Sequence, residues 1–600
     1  MTTMHRSWRA ALGRLLMGGL VLIGALVVMG GLGGCTSSRP YTLGPIKTED
    51  PDVHPVPRPA ETEESMYWDR IDMTVFHQLE KPLNLHWMGR RVGQALGVAE
   101  ADEADNVNVM DEPPASSWWT RRHYYDEMTP RELAVGPNRA DTTGPAAGPA
   151  RDGPWTVTSG KAQGASRGFQ IKDPRGNRYL IKLDSPKWPE LMSAAEVIST
   201  KIFHAAGYYV PQNTITTFSP DRLHVGPDAT MQDGAQRRPM TRADLEQILG
   251  PYDVGANGRI RGVASKFVDG DPLGPIFFEG TRDGDPNDRV RHEQRRELRG
   301  LRVIGSWLND ADRRHANTLA VYTDEEYVKH YLLDMGSTLG ANAGGVHWPV
   351  HGQAYLIDHR KMLQALPALG AYRFPWWDYD PTPRYPAVGY FRADVFKPGD
   401  WVPTYPNPAF EKMTRRDAFW GAKIVMSFTD EDLRAIVETA RISNPAAEAH
   451  LLDVLRARRD KIGRYWFDRI NPLDRFAVEA DAPAFAGDGT TSPGPVLRFD
   501  DLAVTTGLAA DSARRYSCRL VLDDAPLAPA RTVDRSRCPL AVNGRPLAAL
   551  LDERGRASGH DRVVRVDLRT LQGGAESRRT QVYVHVPSDG TARVVGLRRE

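Results

Sequence analysis

Five side chains of this 600-residue chain have the types and order that handling a polyphosphate demands. Lys182 stands between Ile181 and Leu183, Glu196 follows in a helical stretch, and Asn309-Asp-Ala-Asp-Arg-Arg-His-Ala-Asn317 forms a polar loop. Leu333-Asp334-Met335-Gly336 comes soon after, and the stretch Gly160-Lys-Ala-Gln-Gly164-Ala-Ser166-Arg-Gly168 precedes all of them. A lysine offsets phosphate charge, and a glutamate holds that lysine charged against its own desolvation. An aspartate and an amide oxygen are hard ligands for a divalent cation, and a second aspartate can receive or orient an acceptor hydroxyl. Alone, each piece is ordinary: a snorkelling lysine, a helix-face charge, a glycine loop, an Asp/Asn turn. Their order is the signal.

The elements that must position these groups are legible in the pattern. Phe169–Lys172, the turn Pro174-Arg-Gly-Asn177 and Tyr179–Leu183 predict strand, turn, strand. Leu191, Ala195, Ile198, Ile202 and Ala206 recur at helical spacing over 189–206, with Gly207 suited to the end, so Glu196 sits at the edge of that stripe. A second helix, about 289–308, has Leu298, Leu301, Ile304 and Leu308 on one face and delivers the 309–317 loop. Two short strands, 318–322 and 327–333, return the chain to Asp334. Residues 220–258 read as a polar insertion, 340–410 as a second insertion whose part Tyr372–Phe410 is an aromatic, Pro-rich surface segment, and 429–466 as further helices.

The six-residue span Asp312–Asn317 matches the spacing by which protein kinases present a catalytic Asp and a metal-binding Asn on one loop. Asp-Arg-Arg-His-Ala-Asn resembles the loops of the HipA-type and phosphatidylinositol-kinase-type atypical kinases, with the exported CotH-like and secretory-pathway kinases as extracytoplasmic relatives. The resemblance covers residues 155–480 and implies a two-lobed protein-kinase-like domain, with lobes of about 155–268 and 269–480. It implies that Lys182 contacts phosphates of ATP or another nucleotide and pairs with Glu196. Asp312 then serves as base or hydroxyl-orienting residue, with Asp310 as rival, while Asn317 and Asp334 hold Mg²⁺. Gly164, Ser166 and Gly168 would cradle phosphates, although their glycines lie four apart instead of in Gly-x-Gly-x-x-Gly. Met335 stands where the family has Phe, and His315 is one place later than in the simplest loop.

Arg6, Arg9 and Arg14 precede an uncharged run from Leu15 to Gly34, ending Leu32-Gly-Gly-Cys35. This resembles a bacterial lipoprotein signal, residues 1–34, which implies a lipidated Cys35, a membrane tether and, with Thr36 next, the periplasmic face of the outer membrane. An uncleaved apolar anchor is the other reading. Residues 35–65 read as a flexible Pro-rich tether and 66–154 as an irregular N-terminal extension packed on the kinase-like domain. Short alternating strands over 490–600 predict a separate all-β, sandwich-like module closed by Cys518–Cys538, so the chain is α+β.

Lys and Arg total 77 and Asp and Glu 76, so no charged field argues for nucleic acid, and Arg295-Arg296 read as a solvated helix face. His347 and His351 flank Pro349 and read as core or loop residues, not metal ligands, and Trp376-Trp377 as aromatics packed under a loop. The expected activity is phosphoryl transfer to a hydroxyl of an unidentified protein, carbohydrate or lipid. An inactive, kinase-like envelope scaffold is the alternative, and a polymer-binding β module a third.

Overall fold

In β2 (Gly168–Lys172) and β3 (Arg178–Lys182), period-two alternation sends Phe169, Ile171, Tyr179 and Ile181 into one buried face. A computed structural model describes residues 39–62, 102–138, 148–160, 167–233, 236–252, 258–342, 344–368, 372–485, 491–533, 535–588 and 591–600. The hairpin turn is held by Asp173, whose Oδ1 accepts from the backbone of Arg175 and Asn177, with Gly176 at φ 85°. Its register sets Gly168 opposite Lys182.

The hairpin lies within a seven-stranded sheet. With β1 (Trp155–Gly160), β4 (Asn213–Phe218), β5 (Leu223–Asp233), β6 (Gln236–Pro239) and β7 (Ile260–Lys266), the order is β4-β7-β3-β2-β1-β5-β6. Only β1 and β5 run parallel. Helix α1 (Leu191–Ala205) connects β3 to β4, and α2 (Arg242–Leu249) closes the sheet's apolar core with Leu245, Ile248 and Leu249. The expected polar insertion at 220–258 is therefore partly regular structure that widens the sheet.

Beyond it, α3 (Arg296–Leu308), β8 (Thr318–Tyr322) and β9 (Val328–Leu332) lead to α4 (Arg415–Met426), α5 (Asp430–Glu438) and α6 (Pro445–Phe467). These helices share one core with the inner face of α1 and with Trp118 and Trp119 of the N-terminal extension. Strands start again at β10 (Leu473–Phe485), ahead of the expected 490, followed by β11 (Thr491–Asp501). A mainly antiparallel sheet of β12 (Arg515–Leu522), β13 (Val563–Gln572), β14 (Thr580–His585) and β15 (Arg593–Arg599) completes the chain. This region has its own core, and Cys518 and Cys538 are disulfide-bonded across a Cα–Cα distance of 6.1 Å. The architecture is α+β.

Several expectations are corrected. The β region is not free-standing: Lys423 of α4 pairs with Glu112 and, at 2.8 Å, with Asp474, which takes Arg599 at 2.8 Å. From Tyr41 to Glu600 the chain is one compact unit. The supposed flexible tether is docked over its described part: Asp52 is buried on Ser117, and Val56 and Thr62 donate backbone hydrogen bonds to Glu326 and Leu273. Arg295 and Arg296 are each 1% exposed, because Asp288 and Glu297 meet the first while Asp111 and Asp417 meet the second. Trp377 is 57% exposed and only edges Phe374, whereas Trp376 stacks on that ring. Cys35 lies outside the described residues, and among those described no helix is long and apolar enough to cross a membrane.

Candidate active site at the Lys182–Glu196–Asp334 cluster

Alternation along β3 turns Lys182 away from the Ile181 face and onto α1. Its Nζ donates to Glu196 Oε2 at 3.0 Å and to Asp334 Oδ1 at 2.9 Å. Lys182 is 5% exposed and Glu196 1%, whereas the Asp334 side chain is 48% exposed, so the cluster has one open side. Burial works to strip the ammonium of its proton, but Asp334 and Glu196 outweigh it and hold Lys182 well above its ordinary value. The second Glu196 oxygen is engaged as well, since Asn213 donates Nδ2 to Oε1 at 3.0 Å and to Thr200 Oγ1 at 2.8 Å. A buried charge satisfied at both oxygens stays fixed. At the start of α1, Asp184 accepts from Ser193 N at 2.8 Å and Oγ at 2.6 Å, meeting an unpaired first-turn amide.

Helix α3 ends at Asn309, whose left-handed φ of 54° turns the chain into the polar loop. Asp310 is enclosed and paired with Arg313 Nε at 2.7 Å. Burial pushes its carboxyl up against the opposing Arg313, and Asp312 and Asp334 are near enough to add to that rise. Arg313 then donates to the carbonyls of Asn317 at 2.8 Å and Leu333 at 2.9 Å, joining the loop to the Asp334 segment. Asn317 Nδ2 donates to the Asp312 carbonyl at 2.6 Å and to its Oδ2 at 3.1 Å, and Arg314 Nε meets Oδ1 at 3.0 Å. With its nitrogen committed to Asp312, Asn317 has its amide oxygen left to offer a cation.

Asp334 adopts a left-handed φ of 52°, which Asp tolerates better than most residues. Gly336 lies in close approach to α1: a Cβ there would lie 3.0 Å from Glu196 Oε2 and 3.0 Å from Met192 Cγ.

No protein-family model, curated protein or solved structure matches the chain. The site is therefore read from its own chemistry. Lys182, Glu196 and Asp334 meet directly, Asp312 and Asn317 meet each other, and Arg313 links the two groups. Gly168 faces Lys182 across the hairpin, and a Cβ on it would lie 2.2 Å from Ile181 O, so it serves strand pairing. Gly164 and Ser166 lie outside the described residues. Asn213 and Arg313 were not singled out from sequence; Arg313 stood inside the motif, whereas Asn213 carried no signal.

Among the described residues no group of three or more His, Cys, Asp or Glu is set to hold a metal ion. Asn317 and Asp334 carry an amide and a carboxylate group, oxygen donors of the kind that hard cations accept. His347 and His351 stack with centroids 4.8 Å apart, and burial pushes both below the ordinary histidine range. His347 meets Asn309 and His351 meets the Trp348 backbone, so they pack as neutral rings. A cavity of about 440 Å³, lined by Tyr124, Lys423 and Arg459 among others, shares no residue with the site.

Proposed function

We propose that the protein is an extracytoplasmic phosphotransferase of two-lobed, protein-kinase-like build, tethered through a lipidated Cys35 and moving a phosphoryl group from a Mg²⁺–nucleotide to a hydroxyl acceptor. The observation that carries this reading is Lys182, buried on its strand and bonded at once to helix Glu196 and to half-exposed Asp334. An ordinary buried ion pair needs no third, solvent-facing carboxylate. The insertion of α1 between β3 and β4, and the loop Asp312–Asn317 before Asp334, support the same reading. The Cys518–Cys538 disulfide fits an oxidising compartment.

Bound Mg²⁺ supplies charge neutralisation on the polyphosphate. Asn317 and Asp334 would hold it, Lys182 would offset phosphate charge, and Glu196 keeps Lys182 protonated and in place. Asp312 orients the acceptor hydroxyl and takes its proton at the carboxylate, while Asn317 and Arg314 fix its rotamer.

The test is transfer of label from γ-labelled ATP in the presence of Mg²⁺, to water, to the protein itself or to envelope fractions. Asp312→Asn is expected to lower the rate by about 10²-fold or more. No turnover by the native protein leaves the inactive-scaffold reading in its place, and full turnover by Asp312→Asn removes Asp312 from the role of base.

A further inference from the structure

A cavity of about 500 Å³ shares no residue with the Lys182 site and has the volume of a pocket for a small organic ligand. It lies where the end of β7, the segment after α1 and the β8–β9 hairpin meet. Lys266 N donates to Gln212 O at 2.9 Å, and Leu332 N donates to Tyr209 O at 2.9 Å. The charges around it are sorted by end. At one end Arg122 donates Nη1 to the carbonyls of His204 at 2.6 Å and Tyr208 at 2.9 Å, with Lys266 on the neighbouring wall. Among the described residues neither cation forms an ion pair with a carboxylate. Burial presses the Arg122 guanidinium down to about 10, and only the Tyr209 phenol opposes that. At the other end lie Asp269, beyond Lys266 on one wall, and Asp324 and Glu325 in the β8–β9 turn. The two walls meet closely there: Gly270 has φ 103°, and a Cβ on it would lie 2.5 Å from Tyr322 O.

Between the ends runs β9. Val328, His330 and Leu332 are buried, so Tyr327, Lys329 and Tyr331 alternate to the cavity side. Tyr331 is bridged to Tyr209, and the Lys329 ammonium lies 4.2 Å over the Tyr209 ring. From Tyr331, at the Arg122 end, to Tyr327, at the turn, the strand covers about 13 Å at about 3.3 Å per residue. A guanidinium bonded only to neutral carbonyls favours an anion, whereas the carboxylates at the far end repel one and favour a cation. One ligand answers both only if it carries opposite charges at its two ends. An extended peptide of three or four residues spans about 10–14 Å and separates its terminal carboxylate and amine by that distance.

We propose that this cavity binds a short peptide with free ends, its C-terminal carboxylate on Arg122 and Lys266 and its amino groups on the carboxylates of Asp324 and Glu325. This does not depend on nucleotide chemistry. The test is calorimetric titration of the tripeptide lysyl-glycyl-glycine into the full chain, beside the same peptide with its C-terminus amidated and beside inorganic phosphate. Saturable binding of the free peptide is expected. It should weaken about tenfold or more on amidation, in Arg122→Gln and in Asp324→Asn/Glu325→Gln, because each change removes a charge-assisted contact. Arg122→Gln also gives up the bonds to the His204 and Tyr208 carbonyls, so Lys266→Gln takes its place should that variant lose its thermal transition. The proposal is overturned if the native protein does not bind the free peptide, if the amidated peptide binds as tightly, or if the folded variants bind it as tightly as the native protein. Phosphate binding as tightly as the peptide overturns it in favour of a simple anion site.

Discussion

Replacing Lys182 by Met removes the only cation bonded to Glu196 among the described residues, and Glu196 is a carboxylate that is 1% exposed. Breaking a buried pair on one side costs about 3–5 kcal/mol, because the remaining charge is desolvated and unmatched. Replacing both partners by apolar groups of similar volume removes that penalty, so Lys182→Met/Glu196→Leu should lose less than Lys182→Met alone. The coupling in a double-mutant cycle should then exceed about 2 kcal/mol. Native-state hydrogen exchange of the α1 amides reads this locally, without assuming that the whole chain unfolds in one step. pH adds a second signature. Folding raises the Lys182 pKa, so its stabilisation is complete below the ordinary lysine value of about 10.4 and is lost as pH rises through the folded value. The native protein should weaken through that alkaline range and Lys182→Met should not. Additivity within about 0.5 kcal/mol would refute the pairing.

Gly336→Ala forces a Cβ against Glu196 and Met192, and urea unfolding should show a loss of about 1–3 kcal/mol. Arg313→Ala leaves Asp310 buried without its cation and frees the Asn317 and Leu333 carbonyls; a loss of about 3–5 kcal/mol is expected, and Arg313→Lys should not restore it, lacking the fork that reaches both carbonyls. Burial opposes ionisation of Asp111, yet Arg296, Arg416 and Arg599 overcome it and bring its pKa down to about 2. Its stabilisation is present above the unfolded value of about 3.9 and is lost as pH falls toward 2, worth about 2–3 kcal/mol in acid unfolding; Asp111→Asn should flatten that slope.

The sequence order had grouped residues that the fold joins: Lys182 with Glu196 and Asp334, and Asp312 with Asn317. The elements around them were legible too: the helix expected over 189–206 is Leu191–Ala205, since its apolar spacing and the Gly207 stop are local signals. What failed to show in the sequence depends on partners distant along the chain. Arg295 and Arg296 look like a solvated pair until Asp288, Glu297, Asp111 and Asp417 surround them. Helix α3 starts at Arg296 and not near 289 because Asp288, bonded to His292 at 2.6 Å, anchors a 3-10 turn over His292–Gln294 ahead of it. Asn213 looks like any strand residue, and only the packing of α1 beneath β4 brings it to Glu196. The docked course of residues 41–62 was hidden for a similar reason, because a Pro-rich composition says nothing of a groove that fits it.

The most direct measurement is calorimetric titration of ATP into the native protein, Asp334→Asn and Lys182→Met, each with and without Mg²⁺. Saturable binding that requires Mg²⁺ in the native protein, and disappears in both variants while they remain folded, is the predicted result. Nucleotide binding that ignores Mg²⁺ and survives Asp334→Asn, or no binding by the native protein, would contradict the account.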